Sequence, residues 1–113
     1  MIRDNNVRSV FVTRVIDGDT FAGNLYLLSN EIQFHDQRFR LWGVDTPERG
    51  EAGYNEATEF LRKVIEEKVV FAHIAGKDSF GRWLVHVHTE HSERSINDNL
   101  LLRGLAVPYE DKS

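Results

Sequence analysis

Up to Val44 the apolar and polar positions follow strand periods. Val10 to Ile16 is rich in β-branched residues, with Phe11, Val12, Thr13 and Val15, and predicts a strand partly buried on both faces. Asp17-Gly18-Asp19-Thr20 predicts a turn, because Asp-Gly tolerates the positive φ of tight hairpins. Phe21 to Leu28 predicts a second strand and Ser29-Asn30-Glu31 a polar connection. Ile32 to Val44 predicts a third, long strand, in which Phe39, Leu41 and Gly43 alternate with Arg40, Trp42 and Val44.

Pro47 then stops regular structure, and Arg49-Gly50-Glu51-Ala52-Gly53 predicts a loop. Beyond it the period changes. Ala57, Phe60, Leu61, Val64 and Ile65 fall on one apolar helix face. Asn55 is the expected N-cap, Glu56 and Glu59 suit the positive end of the dipole, and Glu59 with Lys63 is an expected i,i+4 pair. Val69 to Ile74 predicts a fourth strand, Ala75 to Phe80 a loop and Gly81 to His88 a fifth strand. Ser95, with Asp98 three residues on, predicts a capping-box-like start to a short second helix carrying Ile96, Leu100 and Leu101, closed by Gly104. Three strands, a helix, two strands and a helix fit an α+β, mainly β, fold: a five-stranded barrel of the oligonucleotide-binding type with two helices.

Composition narrows the function. At 113 residues the sequence is expected to form a single domain spanning 1–113. The absence of cysteine excludes disulfides, zinc-thiolate sites, iron–sulfur clusters and thiol catalysis. A net charge of −4 argues against a passive nucleic-acid binder, but not against an enzyme that recruits a divalent cation to carboxylates. The apolar runs are far shorter than the ~20 residues of a membrane helix, so no membrane partner is expected. Met1 to Asn6 has no apolar leader. A cytoplasmic location is the default expectation; secretion would require a leader already removed.

Asp17, Asp19 and Asp45 are short carboxylates at strand ends, and Glu48 lies just beyond Thr46-Pro47. Clustered carboxylates repel, and a hard divalent cation relieves that cost. Oxygen ligands without His or Cys favour Ca²⁺ or Mg²⁺ over zinc. For Asp17-Gly18-Asp19 alone, an ordinary hairpin turn is the better reading. Arg40 and Arg82 come from different strands and carry the planar fork that matches phosphate oxygens. They matter only if folding brings both beside the carboxylates. His86 and His88, with His91 nearby, read as the solvated face of a strand rather than a metal site, Phe80 as loop packing, and Trp42 and Trp83 as core or barrel-surface packing.

Three segments together, Val15-Ile16-Asp17-Gly18-Asp19-Thr20, Arg40 to Glu48 (RLWGVDTPE) and Asp78-Ser79-Phe80-Gly81-Arg82, resemble in order and spacing the signature segments of the staphylococcal nuclease (thermonuclease) family. The resemblance runs from about Val10 to Val107. It implies Ca²⁺ as cofactor, held by the Asp19 and Asp45 carboxylates and the Thr46 carbonyl, with Asp17 in the outer shell through water. It implies Glu48 as general base, and Arg40 and Arg82 as the arginines that hold the scissile phosphate. The implied activity is hydrolysis of DNA or RNA phosphodiesters, single strands preferred, breaking the 5′ P–O bond and leaving 3′-phosphate ends.

Three departures from the family are visible. The chain is acidic where well-known members are basic, so its grip on polymer should be weaker or more metal-dependent. No sequence remains after Ser113 for the family's C-terminal third helix, so either a smaller core suffices or another subunit covers the exposed apolar surface, and a homodimer is the expectation. Tyr109 stands one position away from the family's base-stacking platform. The alternative function is a non-catalytic nucleic-acid- or protein-binding module of the same fold, which would have no need of Glu48 beside two metal carboxylates. A small interaction domain whose carboxylates merely form turns leaves the co-occurrence of the three segments unexplained.

Overall fold

The computed structural model of the chain describes residues 6–27, 31–90 and 92–109. Five strands close into a barrel in the order β1-β2-β3-β6-β5. β1 (Val7–Asp17), β2 (Thr20–Leu27) and β3 (Ile32–Leu41) form an antiparallel meander. β4 is a two-residue strand, Val44–Asp45. Helix α1 (Tyr54–Ile65) follows, then the hairpin of β5 (Val69–Lys77) and β6 (Trp83–His88). Helix α2 (Ile96–Leu102) and the short β7 (Val107–Pro108), which pairs with β4, complete the order. β6 closes the barrel on β3 in parallel register, Arg40 opposite Leu84, and β5 closes it on β1. The barrel with two helices is the fold the periodicities predict. No described helix is long and apolar enough to cross a membrane.

The barrel is filled by inward residues of every strand, among them Val10, Phe21, Leu25, Phe39, Val70 and Val85, all at most 1% exposed. Phe21 and Phe39, directly opposite on β2 and β3, stack at 4.9 Å, a contact that adds about 0.5–1.5 kcal/mol to simple burial. Helix α1 covers the barrel with Leu61 and Ile65, and α2 with Ile96 and Leu100. The apolar face expected of α1 is the one it buries, Phe60 and Val64 lying at its margin.

Several boundaries differ from expectation, each for a local reason. The third strand does not run to Val44. It stops at Leu41, and the chain turns at Trp42-Gly43, where Gly43 takes φ 78°. The burial parity flips across this corner, with Phe39 and Leu41 buried before it and Val44 and Thr46 after it, whereas a continuous strand would put Val44 on the face of Arg40. β5 runs three residues past Ile74, through an irregularity between Ile74 and Gly76. The N-cap of α1 is Gly53, not Asn55. Its φ of 90° turns the chain into the helix without a side-chain cap, and Asn55 lies inside the first turn. Glu59 pairs with Arg62 rather than with Lys63. The cap at Ser95 forms as expected: its Oγ accepts from the Asp98 N–H at 3.0 Å. The strand end at Leu28, the connection through Ser29 and Asn30, the N-terminal Met1–Asn5 and His91 lie outside the described residues.

Candidate active site

Four separated stretches meet at one end of the barrel, around an open cleft of about 650 Å³. The β1–β2 turn brings Asp17 and Asp19, the end of β3 brings Arg40, and the chain from β4 onward brings Asp45, Thr46 and Glu48. The β5–β6 loop brings Arg82. All seven residues singled out from the sequence line this cleft.

The turn is docked by its backbone and by its glycine. Leu41 N–H donates to the Asp19 carbonyl at 2.8 Å, and Thr20 stands opposite Arg40 in the ladder. Gly18 does not adopt the positive φ that a turn glycine suggests. Its role is steric, since a Cβ there would lie 2.8 Å from both Ala57 Cβ and Thr46 Oγ1. The missing side chain lets the turn press against α1 and against the segment that carries Thr46.

Asp19 is the hub. One carboxylate oxygen accepts from the Thr20 hydroxyl at 3.0 Å, and the other accepts from the Thr46 N–H at 3.1 Å and lies 3.4 Å from Arg40. Its side chain is only 10% exposed, and that of Arg40 13%. Burial works against the charge on Asp19, but hydrogen bonds from the Asp17 carboxyl, Thr46 and Thr20 and the Arg40 guanidinium hold its carboxyl below the usual range. Asp17 goes the other way. Burial, then its hydrogen bond and repulsion with Asp19, push it up to about 6. Asp19 is therefore the first of the pair to ionise, and Asp17 follows only as the pH nears neutrality.

Arg40 is locked from behind. Its Nη1 donates to the main-chain carbonyls of Leu41 at 2.9 Å and Val44 at 2.7 Å, which spans the Trp42-Gly43 corner. Nη2 lies 3.5 Å from the half-exposed Asp45 carboxylate. Its guanidinium carbon stands 5.6 Å from the ring of Tyr109, which lines the cleft. Tyr109 N–H donates to the Gly43 carbonyl, which fixes it to the same corner.

Arg82 is held differently. Its Nε donates to Asp78 Oδ2 at 2.7 Å, and Asp78 Oδ1 accepts from the N–H groups of Phe80 and Arg82, each at 2.9 Å. Burial opposes the Asp78 charge, but these bonds and the Arg82 guanidinium keep its carboxyl below the ordinary range. Among the described residues the two Nη groups of Arg82 make no hydrogen bond; its Nε contact is to Asp78. Glu48 sits exposed on the rim, and its N–H donates to the Glu51 carboxylate at 2.6 Å.

The donor set fits a hard cation in its chemistry. Asp19 and Asp45 flank one guanidinium, and Thr46 adds a peptide carbonyl next in sequence. No group of three or more carboxylates and imidazoles is gathered for a metal among the described residues. Two carboxylates and one carbonyl supply only part of the six to eight oxygens of a Ca²⁺ shell, leaving room for water and phosphate.

Several residues of the site carried no role in the sequence. Asp78 orients Arg82; an Asp two and four residues before the N–H groups it captures is an Asx-turn signal that could have shown this. Asn97, 2% exposed, ties the back of the cleft by donating to the Trp42 and Val85 carbonyls and accepting from Val87 N–H. Phe80 is not packed into its loop. It is 83% exposed at the cleft mouth. Trp42 and Trp83 lie on the barrel surface: Trp42 tilts against His86, and Trp83 carries the Lys77 ammonium at 4.5 Å rather than an arginine.

The sequence model of the staphylococcal nuclease homologue family matches residues 38–113. Two curated relatives are similar. One is a probable staphylococcal-like nuclease, CAN4, of Oryza sativa subsp. japonica, 33% identical over 93 residues that cover 82% of this chain and 18% of that protein. The other is a probable endonuclease, LCL3, of Phaeosphaeria nodorum, 35% identical over 95 residues that cover 77% of this chain and 31% of that protein. The chain thus spans less than a third of the length of either relative.

Proposed function

Because the chain belongs to the staphylococcal nuclease family, we propose that it hydrolyses phosphodiester bonds of DNA or RNA in a calcium-dependent reaction. The observation that carries this reading is the convergence of two arginines, three aspartates and Glu48 on one cleft from four separate stretches of chain.

Asp19, Asp45 and the Thr46 carbonyl would hold the ion, with Asp17 beyond them through water. When bound, calcium supplies a Lewis acid for a phosphate oxygen and a lowered pKa for a nearby water. The chain's own groups do the rest. A diester is an anion and repels an incoming nucleophile, and the guanidiniums of Arg40 and Arg82 offset that charge. As phosphorus gains a fifth oxygen, charge grows on its equatorial oxygens. Donors already fixed by Asp78 and by the Leu41 and Val44 carbonyls need no reorganisation to meet it. Glu48 takes the proton of the attacking water, a role that typically contributes about 10²–10⁴ in rate. The 5′ P–O bond breaks, the 5′ oxygen leaves with the bond's electron pair and takes a proton from solvent, and the phosphate stays on the 3′ end. The acidic balance of the chain, −4, makes binding of polymer depend on the ion more than on a basic surface.

The test is incubation with single-stranded DNA and RNA oligomers in Ca²⁺ or in chelator, with end-group analysis. Fragments bearing 3′-phosphates in Ca²⁺ alone are expected. Intact oligomers with every divalent cation tried would overturn the reading and favour a non-catalytic binding module. Independently of turnover, Ca²⁺ with a nucleoside 3′,5′-bisphosphate should raise Tm, because both bind only the folded chain.

A further inference from the structure

Phe80 is the most exposed large apolar side chain among the described residues, yet it is not a loose one. Its N–H is bonded to Asp78 Oδ1, the Gly81 N–H to the Asp78 carbonyl at 3.1 Å, and the Asp78 N–H to the Arg82 carbonyl at 2.9 Å. These bonds fix the turn that presents the ring. The ring stands 5.4 Å from the Arg82 guanidinium carbon and lines the cleft. Isolated apolar residues on a surface are ordinary. An aromatic ring held in place at the mouth of a polar cleft, beside a guanidinium with free Nη groups, is a prepared contact.

We propose that Phe80 is the platform on which an unpaired nucleobase stacks, next to the phosphate that Arg82 holds; this rests on the nuclease reading above. In a strand, one sugar joins each base to its phosphate. A phosphate on the Arg82 fork therefore brings a neighbouring base to the ring beside it. Phe80 has no hydrogen-bonding group, so it meets the face of a base and not its edges. Such stacking accepts every base and excludes bases already stacked within a duplex. Phe80 is thus a binding residue that selects for single strands and is indifferent to sequence.

The test pairs a protein change with a substrate change. Oligothymidylates carrying one abasic residue, moved position by position, are cleaved by the wild type and by Phe80→Ala, with Phe80→Trp and Phe80→Leu as companions. Phe80→Ala should raise KM about tenfold, in line with the measured value of one stacked base. One abasic position should cost the wild type a similar factor and cost Phe80→Ala almost nothing, because the two losses remove the same contact. Phe80→Trp should restore sensitivity to that position, and Phe80→Leu should not. Equal KM for wild type and Phe80→Ala, or equal sensitivity of both to every abasic position, overturns the platform while leaving the nuclease reading intact. Failure of the wild type to cleave any oligomer with any divalent cation overturns both. Unchanged Tm in Phe80→Ala is expected for so exposed a side chain and separates the effect from misfolding.

Discussion

Asp78 and Arg82 close one turn upon each other: the carboxylate takes Arg82 Nε with one oxygen and the Arg82 and Phe80 N–H groups with the other. The two halves of this arrangement are separable. Asp78→Asn keeps an acceptor for the turn N–H groups and loses the charge that aims the guanidinium. Cleavage should slow about tenfold while Tm changes little, as partly exposed ion pairs are worth about 1 kcal/mol or less. Asp78→Ala loses both halves and should also lower stability by roughly 1–2 kcal/mol. Turnover and thermal melts on the two variants check the separation; identical Tm in both would mean the turn does not depend on this side chain.

Arg40 faces a stronger constraint, because it neutralises a buried carboxylate. Arg40→Ala leaves Asp19 without its cation and should destabilise the fold by about 3 kcal/mol as well as abolish turnover. Arg40→Ala combined with Asp19→Asn should recover part of that stability and none of the activity. Denaturant melts of the single and double variants measure the coupling.

Gly18→Ala tests the close approach of the β1–β2 turn. The added methyl meets Ala57 Cβ and Thr46 Oγ1 at 2.8 Å, a distance that forces movement. Overpacking of this kind costs about 1–3 kcal/mol. Because the displaced neighbour carries the Thr46 carbonyl, a weaker Ca²⁺-induced rise in Tm should accompany the loss. A variant as stable as the wild type would mean that the turn sits further from α1.

His86 sets a pH dependence outside the cleft. It lies between Trp42 and His73, and burial, then the neighbouring His73 with a smaller part from His88, lowers its pKa against a weaker pull from Asp98. A folded histidine with a lowered pKa binds its proton less readily than the unfolded one. Its contribution is whole above the unfolded pKa of about 6.5 and is lost as pH falls from there toward the folded value. Stability should therefore decline with acidification just below neutrality, and His86→Gln should flatten that slope. Equal slopes for the two proteins in melts from pH 5 to 8 would remove His86 as the cause.

Glu48 has no structural duty to confuse its test. Its side chain is exposed, and the hydrogen bonds at this position are made by its main-chain N–H and carbonyl. Glu48→Gln should keep Tm and the Ca²⁺ and nucleotide response, and should cut turnover by about 10²–10⁴. Turnover at the wild-type rate would assign the proton to another acceptor.

The barrel could be read from the sequence because its strands and helices announce themselves: Val10 to Ile16 is a β-branched run that buries Val10, Val12 and Val15 in the interior, and the Ala57–Ile65 stripe is the face that α1 buries. The site could be read in its residues, since Asp19, Arg40, Glu48 and Arg82 line one cleft. What stayed hidden depends on contacts across the fold. The need for glycine at Gly18 comes from Ala57 and Thr46, not from its own φ. The corner at Trp42-Gly43 moves the buried positions from Leu41 to Val44, a shift that a single apolar residue beyond the corner does not announce. Phe80 looks like packing in a string of letters, and only its place on the Arg82 loop shows it facing solvent.

Asn97 brings a last consequence. Its one amide clasps Trp42, where the chain leaves the barrel wall, to Val85 and Val87 on the opposite side of the parallel seam. The aim of Arg40 is thereby kept by a group that no substrate ever meets. Any drift of the second helix passes through this amide into the corner from which that arginine departs, so the shape of the cleft is guarded from behind.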